Sequence, residues 1–572
     1  MLLRIESAVL TAVRATLGSS ISAILLLIFL IGQAQAQTQP TPPRMYTLTP
    51  TGIDRATGSF VTSVKDLSIG SISLERSYVT ADRPGSWSSN NYFGVGWTHN
   101  LDIYARTDYF NSQPTALVGI GRSVYKYTGS GPDFLPEMDE AGTSLTSVGG
   151  ALVFTDRDGS IYRFLSGTGL MKVSSITYPD GTILTFNYVS GLPKTIVSNR
   201  GYALVFDYSS TRVIAACGYN LAVTYVTTAS TCAGAALKVS YGYTSSRLTS
   251  VTDVMNNVAS YGYDSNGFLS CLTDPGTTTC RITNTNTGNT HTGQINVTAQ
   301  VTADGASWGF ECDCGAYELA VPDDPYPLEG SRLTAPNGTT SDMNFVHGSP
   351  VYYKNENGKV YNSQYIGRML LSISSPEGNI AKYSYNNNLV ESKVSFVAKS
   401  GSGLANIDQG IKTFPAPCSN PILCNLPLSI TDAKGNQTDY AYASWGGVTS
   451  ELQPAPTAGA ARPLKLNTYV QKYAYVKNAG GALVATASPV WVSDTETLCQ
   501  TYAGSSALTC DPAAPITTTA FEYGANGIAD NLLLRGKVVS SGGVSLRTCY
   551  GYDWKGRKIF ETRPRAGLAS CS

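Results

Sequence analysis

The chain has 572 residues, and only 14% of them are charged, with Lys+Arg and Asp+Glu equal at 40 each. This balance argues against nucleic acid or an anionic membrane surface as the main partner, because both require a basic face. Gly (56) and Tyr (35) are abundant. Tyrosine favours half-buried strands and glycine favours the turns between them, so the composition predicts many short β-strands.

The first 36 residues have the features of a cleaved secretory signal peptide. Arg4 and Arg14 precede an apolar run at 21–31, and Ala34 and Ala36 follow in A-x-A spacing. An uncleaved membrane anchor is the alternative, but the run is short of the roughly 20 residues that a transmembrane helix needs. We therefore expect cleavage after Ala36 and a secreted or cell-surface protein with no transmembrane segment after cleavage.

The next region, 37–165, lies between the signal peptide and a set of repeats. It contains short motifs at 51–60, 66–67, 74–78 and 93–100. The last motif holds His99, which Asp102 follows, and this pair invites a catalytic interpretation. We favour a structural, hydrogen-bonded histidine, because His99 lies beside Trp97 within the motif.

An aromatic-x-Tyr unit recurs along the remaining region, 166–572, and such self-similarity is typical of a repeat architecture. Loops at 399–427 and 452–463 are expected to interrupt the repeats. The nine units end in the following tyrosines: Tyr188, Tyr208, Tyr243, Tyr263, Tyr385, Tyr442, Tyr475, Tyr523 and Tyr552.

The clearest unit spans 261–276 and reads YGYDSNGFLSCLTDPG. Tyr261 and Tyr263 are two residues apart, so they share one face of a strand. The segment 264–267 predicts a turn, because Asp264 can bond the backbone ahead and Gly267 can take a positive φ. A second strand then returns and ends at the Asp-Pro-Gly of 274–276, so each unit is expected to be a two-stranded hairpin.

These units and the motifs before them resemble the RHS or YD-repeat family, which includes bacterial polymorphic toxins, shells of insecticidal toxin complexes and animal teneurins. The resemblance covers roughly 50–570. It implies that 37–165 is the RHS-type, β-rich N-terminal domain that commonly precedes such repeats. It also implies an all-β fold, in which a long antiparallel β-sheet of YD repeats coils into a shell or barrel-like wrap. In the family, the shell often encloses a C-terminal toxin that is released near a D-P-x-G-L motif. No Asp-Pro pair of this chain continues in that way, and the last repeat ends near Pro564, so no toxin domain is expected.

Twelve cysteines follow the signal peptide, which predicts disulfides formed in an oxidising compartment. Cys312 and Cys314 are so close that their ring would be strained, and one or both could pair elsewhere or stay free. A metal site there is disfavoured, because no second thiolate or histidine pair lies nearby. The remaining cysteines form candidate local pairs, in chain order: Cys217 with Cys232, Cys271 with Cys280, Cys418 with Cys424, Cys499 with Cys510, and Cys549 with Cys571.

No catalytic, phosphate-binding or dinucleotide-binding motif is present, so we predict no enzyme activity, no catalytic residue and no cofactor. The first interpretation is an exported YD-repeat scaffold or interaction protein with a protein or carbohydrate partner. An orphan toxin shell without its effector is the second, and an enzyme of unknown class is the third. Carbohydrate binding by the repeat tyrosines is a further alternative, since tyrosine offers a flat ring and a polar tip.

Overall fold

The computed structural model describes residues 47–80, 92–110, 113–167, 169–288, 295–313, 329–346, 348–501, 508–564 and 567–571. The predicted signal peptide lies outside these residues, as do His291, His347 and Cys314. The described residues belong to one compact unit, 44–572. They form an all-β fold, in which the single helical element of the described part is a 3-10 turn at Met138–Glu140.

The first four strands form an antiparallel sheet, here called the leader sheet, in the order β1-β2-β3-β4. The tight turn at Gly70 and Ser71 connects β2 to β3, and Gly70 has a φ of 52° there. Burial alternates along β3, as expected for a strand with one face against a core. The strands are β1 (Ile53–Asp54), β2 (Ser59–Ile69), β3 (Ile72–Val79) and β4 (Trp97–His99).

The next eight strands close into a barrel. Closure occurs where β12 pairs with β5, with Met171 opposite Ala105. Phe154 fills the barrel with no exposed surface, and the Tyr125 ring centroid lies 4.8 Å from it. The strands are β5 (Ile103–Phe110), β6 (Gln113–Ile120), β7 (Ser123–Thr128), β8 (Asp133–Pro136), β9 (Ser144–Val148), β10 (Ala151–Thr155), β11 (Ile161–Phe164) and β12 (Leu170–Thr177).

A long antiparallel sheet continues from the barrel, because the second half of β12 pairs with β13. Each strand of this long sheet pairs with the next in the chain. Its strands are β13 (Ile183–Val189), β14 (Leu192–Ser198), β15 (Tyr202–Ser209), β16 (Arg212–Asn220), β17 (Lys238–Thr244), β18 (Arg247–Thr252), β19 (Val258–Tyr263), β20 (Leu269–Thr273), β21 (Cys280–Gly288), β22 (Ile295–Thr302), β23 (Ser307–Asp313), β24 (Glu329–Thr334), β25 (Thr340–Val346), β26 (Ser349–Lys354), β27 (Val360–Ile366), β28 (Met369–Ser374), β29 (Ile380–Tyr385), β30 (Glu391–Val397) and β31 (Ile407–Gln409).

A second sheet of ten strands, here called the C-terminal sheet, follows in the order β32-β33-β34-β35-β36-β39-β40-β41-β42-β43. The hairpin β37–β38 stands apart from it. The strands are β32 (Ile411–Thr413), β33 (Ser429–Thr431), β34 (Gln437–Tyr442), β35 (Val448–Leu452), β36 (Pro463–Lys472), β37 (Tyr475–Lys477), β38 (Leu483–Ala485), β39 (Val490–Gln500), β40 (Thr517–Tyr523), β41 (Leu534–Ser541), β42 (Val544–Tyr552) and β43 (Lys558–Glu561).

The leader sheet packs on one face of the long sheet and supplies much of its core. The Tyr78 hydroxyl accepts a hydrogen bond of 2.9 Å from the Leu269 amide of β20. Farther along, the Gly58 carbonyl accepts from the Val297 amide of β22 at 2.9 Å. Leader and repeat side chains therefore belong to a single hydrophobic cluster, which extends from Ile53 to Phe310.

The C-terminal sheet meets the long sheet and barrel through turns. The Asp180 carbonyl, between β12 and β13, accepts a 2.8 Å bond from the Trp491 amide of β39. Asn220 Nδ2, at the end of β16, donates to Asp530 Oδ1 at 2.8 Å. Glycine permits such approaches, since a Cβ on Gly181 would lie 3.0 Å from the Pro489 carbonyl oxygen. Successive turns of one sheet thus dock on turns of the other.

The predicted regions map onto this architecture as follows. Region 37–165 contains the leader sheet and barrel strands β5 to β11. Strand β12, which closes the barrel with β5 and also pairs with β13, lies within the predicted repeat region. Within the predicted interruption at 399–427 lie two short strands, β31 and β32, and the change from one sheet to the other. The stretch between Leu452 and Pro463 joins β35 to β36 without further strands.

Candidate functional site

The repeat tyrosines are placed by a β-bulge that recurs in both sheets. In the unit at Tyr261–Tyr263, the strand register shifts between Gly262 and Tyr263. The bulge inserts one extra residue and re-aims the side chain that follows it. Tyr263 then donates a 2.8 Å hydrogen bond from its hydroxyl to the Leu248 carbonyl oxygen, 15 residues back in the chain. Each such bond ties a strand to the hairpin before it.

Seven of the nine predicted tyrosines donate this hydroxyl-to-carbonyl bond, at 2.7 to 2.9 Å. Tyr523 has the bulge without a hydroxyl bond to a described residue, and Tyr475 begins the separate hairpin β37. The seven tyrosines are Tyr188, Tyr208, Tyr243, Tyr263, Tyr385, Tyr442 and Tyr552.

Tyr469 is a tyrosine of the same kind that sequence analysis missed. Tyr469 follows a bulge at Thr468 and donates a 2.8 Å bond to the Val448 carbonyl oxygen. No aromatic residue stands two positions before it, since position 467 is Asn. A search for a strand tyrosine preceded by a hairpin, without the aromatic-x-Tyr requirement, would have found it.

Burial keeps these phenols in their protonated, hydrogen-donating form. It raises the pKa of Tyr442 to about 12, with a smaller contribution from Tyr440. It also raises the pKa of Tyr263 to about 12, although the hydrogen bond from Trp97 opposes the shift. Each of these two phenols therefore stays protonated at neutral pH and remains a donor to its main-chain carbonyl.

A buried ion pair of the leader sheet contacts the repeats. Arg76 is fully buried and pairs with Asp66, whose Oδ1 accepts from Arg76 Nη2 at 2.8 Å. Asp66 also accepts a 2.8 Å bond from the Tyr241 hydroxyl of β17. The guanidinium carbon lies 4.7 Å from the Trp97 ring centroid and 5.7 Å from that of Tyr261. Burial lowers the pKa of Arg76, but the Asp66 charge overcomes this and holds it above its usual value.

His99 is a buried residue of the hydrophobic core, among aromatic rings. It is 2% exposed and packs edge-on against Phe93, with ring centroids 5.3 Å apart. Burial lowers the pKa of His99 to about 3, so the imidazole is neutral. Its Nδ1 atom is buried without a hydrogen-bond partner. The burial fits the expectation of a structural histidine.

Disulfides join each of the five neighbouring cysteine pairs named from the sequence. Cys312 is also disulfide-bonded, while Cys314 lies outside the described residues. Most of the bridges close one hairpin or one loop, and the longest holds the chain end near β42. They are Cys217–Cys232, Cys271–Cys280, Cys418–Cys424, Cys499–Cys510 and Cys549–Cys571.

Two features are absent from the described residues. No group of three or more His, Cys, Asp or Glu side chains in that part of the chain is arranged to hold a metal ion. Within the same residues, no helix is long and apolar enough to span a membrane.

An open cleft of about 550 Å³ lies where turns of the barrel and long sheet face the C-terminal sheet. Its wall on the long-sheet side includes Tyr178, Asp180 and Arg200, and its wall on the other side includes Trp445 and Ile422. A smaller cavity of about 350 Å³ adjoins it, and the two share Ser71 and Arg200 in their linings. Ligand sites typically have volumes of about 300 to 1,000 Å³, so this cleft is the candidate functional site.

No family model and no curated protein matches the chain. Among solved structures, it is similar to a chain of the Photorhabdus luminescens Tc holotoxin pore, with a TM-score of 0.32 and 11% identity, over 81% of this chain and 27% of that one. It is also similar to TcdB2-TccC3-TEV (TM-score 0.33, 11% identity, 91% and 28% covered) and to TcdB2-TccC3 (0.29, 10%, 92% and 30%). The chain spans less than a third of the length of these solved chains. Similarity at this level assigns neither a family nor a partner to it.

Proposed function

We propose that the protein is an exported β-repeat scaffold that binds other molecules outside the cytoplasm and catalyses no reaction. The observation that carries this proposal is the hydrogen bonding of the repeat tyrosines. The hydroxyls of seven repeat tyrosines donate hydrogen bonds to main-chain carbonyl oxygens. The residue that recurs in the repeats therefore stabilises the β-sheet, as expected of a scaffold.

The cysteines support the choice of compartment. Local disulfides close loops along both sheets, and such bridges persist in secreted or periplasmic proteins but are rare in a reducing cytosol. The signal-peptide features at 1–36 point the same way.

Two buried groups of the leader sheet support a role without catalysis. His99, the one described histidine, is buried and neutral, and the buried cation Arg76 is neutralised by Asp66. Neither side chain lines the cleft between the sheets.

The test of export is mass spectrometry of the protein recovered from outside the cytoplasm, with and without reduction. We expect an N-terminus at Gln37 and bridges between neighbouring cysteines. An intact Met1 together with free thiols would overturn the proposal.

The toxin-shell interpretation remains the alternative, and gene neighbourhood separates it from an independent scaffold. If a toxin or immunity gene lies immediately downstream and its product co-purifies with this chain, the toxin-shell interpretation replaces the scaffold proposal. Purification of the exported protein without such a product, from a host that lacks these genes, supports the independent scaffold.

Carbohydrate binding is the second candidate function, but a different part of the molecule supports it. The repeat tyrosines have their hydroxyls engaged in the sheet, so they are poor sugar platforms. The cleft between the sheets combines aromatic and polar side chains in one concave surface.

A further inference from the structure

The cleft has an aromatic wall that is held in place before any ligand arrives. Trp445 lines the cleft, and its ring stacks on that of Trp491 with an interplanar angle of 8° and centroids 5.5 Å apart. Tyr469 packs edge-on against the Trp445 ring, with ring centroids 4.9 Å apart, and the Tyr469 hydroxyl donates a hydrogen bond to the Val448 carbonyl. Because Trp445 is already ordered, little side-chain entropy is lost when a ligand contacts it.

The opposite wall is polar and equally rigid. Asp180 Oδ1 accepts the Thr182 amide at 2.9 Å, and Asp180 Oδ2 pairs with Arg200 Nη2 at 2.6 Å. Arg200 Nε donates to Thr182 Oγ1 at 2.6 Å. The Asp180 and Arg200 side chains keep 39% and 25% of their surfaces exposed, so a ligand in the cleft can reach them.

Tyr178 adds a second ring to this polar wall. Burial, and then the carboxylates of Asp158 and Asp180, raise the pKa of Tyr178, so its hydroxyl remains a hydrogen-bond donor at neutral pH. The charged lining groups are two carboxylates, Asp158 and Asp180, and one guanidinium, Arg200. This balance repels a strongly anionic ligand and offers too little negative charge for a polycation.

We propose that this cleft binds a neutral saccharide, with Trp445 and Tyr178 against the apolar faces of the sugar rings and the Asp180–Arg200 pair bonded to neighbouring hydroxyls. A carboxylate accepts from one hydroxyl while the guanidinium donates to the next, so a fixed pair of this kind matches two adjacent hydroxyls of a sugar. The aromatic rings supply apolar contact with a polar rim. The inference rests on the proposed binding function and gives it a site and a ligand class.

Because the two walls belong to different sheets, the ligand would also bridge them. Trp445 comes from the segment between β34 and β35, and Tyr178, Asp180 and Arg200 come from turns next to β12–β15. A bound saccharide should therefore slow amide hydrogen exchange on both sides of the cleft.

The test is titration of the purified, oxidised full chain with maltose, cellobiose, lactose and chitobiose, followed by calorimetry and tryptophan fluorescence. We expect at least one disaccharide to bind with a Kd below about 1 mM. Trp445→Ala should weaken that binding at least about tenfold. Trp554→Ala is the matched control, because Trp554 is 44% exposed and lies outside the cleft lining, and it should bind as the wild type does.

A second variant tests the polar wall without disturbing its turn. Asp180→Asn keeps an oxygen for the Thr182 amide but removes the charge, so it should weaken binding about three- to tenfold. Asp274→Asn, in an exposed ion pair with Arg281, should have no effect. The inference is overturned if none of the four sugars binds with a Kd below about 1 mM. It is also overturned if Trp445→Ala binds a sugar as tightly as the wild type does. The export measurement is independent of this result, so the two proposals can fail separately.

Discussion

The repeat unit around Tyr263 in the long sheet and the unit around Tyr442 in the C-terminal sheet share one local structure. Each has a register shift before its tyrosine and a 2.8 Å bond from that hydroxyl to a carbonyl 15 residues back. They differ in what covers them. Tyr261 is 7% exposed, because Trp97 and Arg76 of the leader sheet pack on it, whereas Tyr440 is only half-buried.

The same contrast holds across the two sheets. The long sheet contributes residues from Leu184 to Phe310 to the core that it forms with the leader sheet. The C-terminal sheet buries few apolar side chains, among them Leu464, Val490 and Val492. The repeat therefore specifies hairpins and their connection, while burial depends on a separate segment that covers the face. Stability should be concentrated where the leader sheet lies.

The largest expected effect comes from breaking the buried Arg76–Asp66 ion pair of the leader sheet, on which Tyr241 and Tyr261 of the long sheet pack. Arg76→Met leaves Asp66 buried without its partner, so the free energy of unfolding should fall by about 3 to 5 kcal/mol in urea titration. The control is Arg332→Met, because Arg332 pairs with Asp342 at the surface with 51% of its side chain exposed, and exposed ion pairs of this kind contribute little to stability. Equal losses in the two variants would show that the leader contact is not a main source of stability.

Acid should weaken the leader region next. His99 titrates near 6.5 when unfolded and near 3 when folded, so the unfolded chain takes up a proton first as the pH falls. The stability that neutral His99 contributes is fully present above pH 6.5 and declines as the pH falls towards 3, by about 2.5 kcal/mol over the first two units. His99→Gln should flatten this part of the stability profile, and an unchanged slope would contradict the assignment.

Removal of one tyrosine hydroxyl from each repeat unit compares the two units directly. Tyr263→Phe removes the bond to Leu248 and also the acceptor of Trp97 Nε1, which lies 3.0 Å away and is buried. It should cost about 2 to 3 kcal/mol, and Tyr442→Phe, which loses one bond at a more open site, about 1 kcal/mol. Urea unfolding of both variants gives the difference. A larger loss for Tyr442→Phe would reverse the comparison.

The smallest effect concerns the junction of the two sheets. Gly181 and Gly276 both have positive φ, at 80° and 76°, so alanine is strained by about 1 to 2 kcal/mol at either position. Only at Gly181 would the new Cβ also crowd a neighbour, the Pro489 carbonyl oxygen at 3.0 Å. Gly181→Ala should therefore lose about 1 kcal/mol more than Gly276→Ala. Hydrogen exchange should rise at 488–491 in the first variant alone.

Much of the local structure could be predicted from the sequence, because it depends on residues close together in the chain. At 264–268, Asp264 accepts the Phe268 amide at 2.9 Å and Gly267 has a φ of 86°, which is the turn that the Asp and Gly of the motif predict. The bulge tyrosine was harder to predict at Tyr469, because its hairpin lacks the preceding aromatic residue. The candidate cleft was not predicted at all, since Trp445 and Asp180 are 265 residues apart in the sequence.

By itself, the sequence determined the all-β class, the hairpin unit and its turns, since these depend on side chains that act on their own backbone within about 20 residues. The tertiary structure alone decided which units are buried, where the barrel closes and which turns meet. Those outcomes depend on surfaces that come together from distant parts of the chain, such as Arg76 against Tyr241 and Asp180 against Trp491. A repeat motif carries no information about the segment that will cover it.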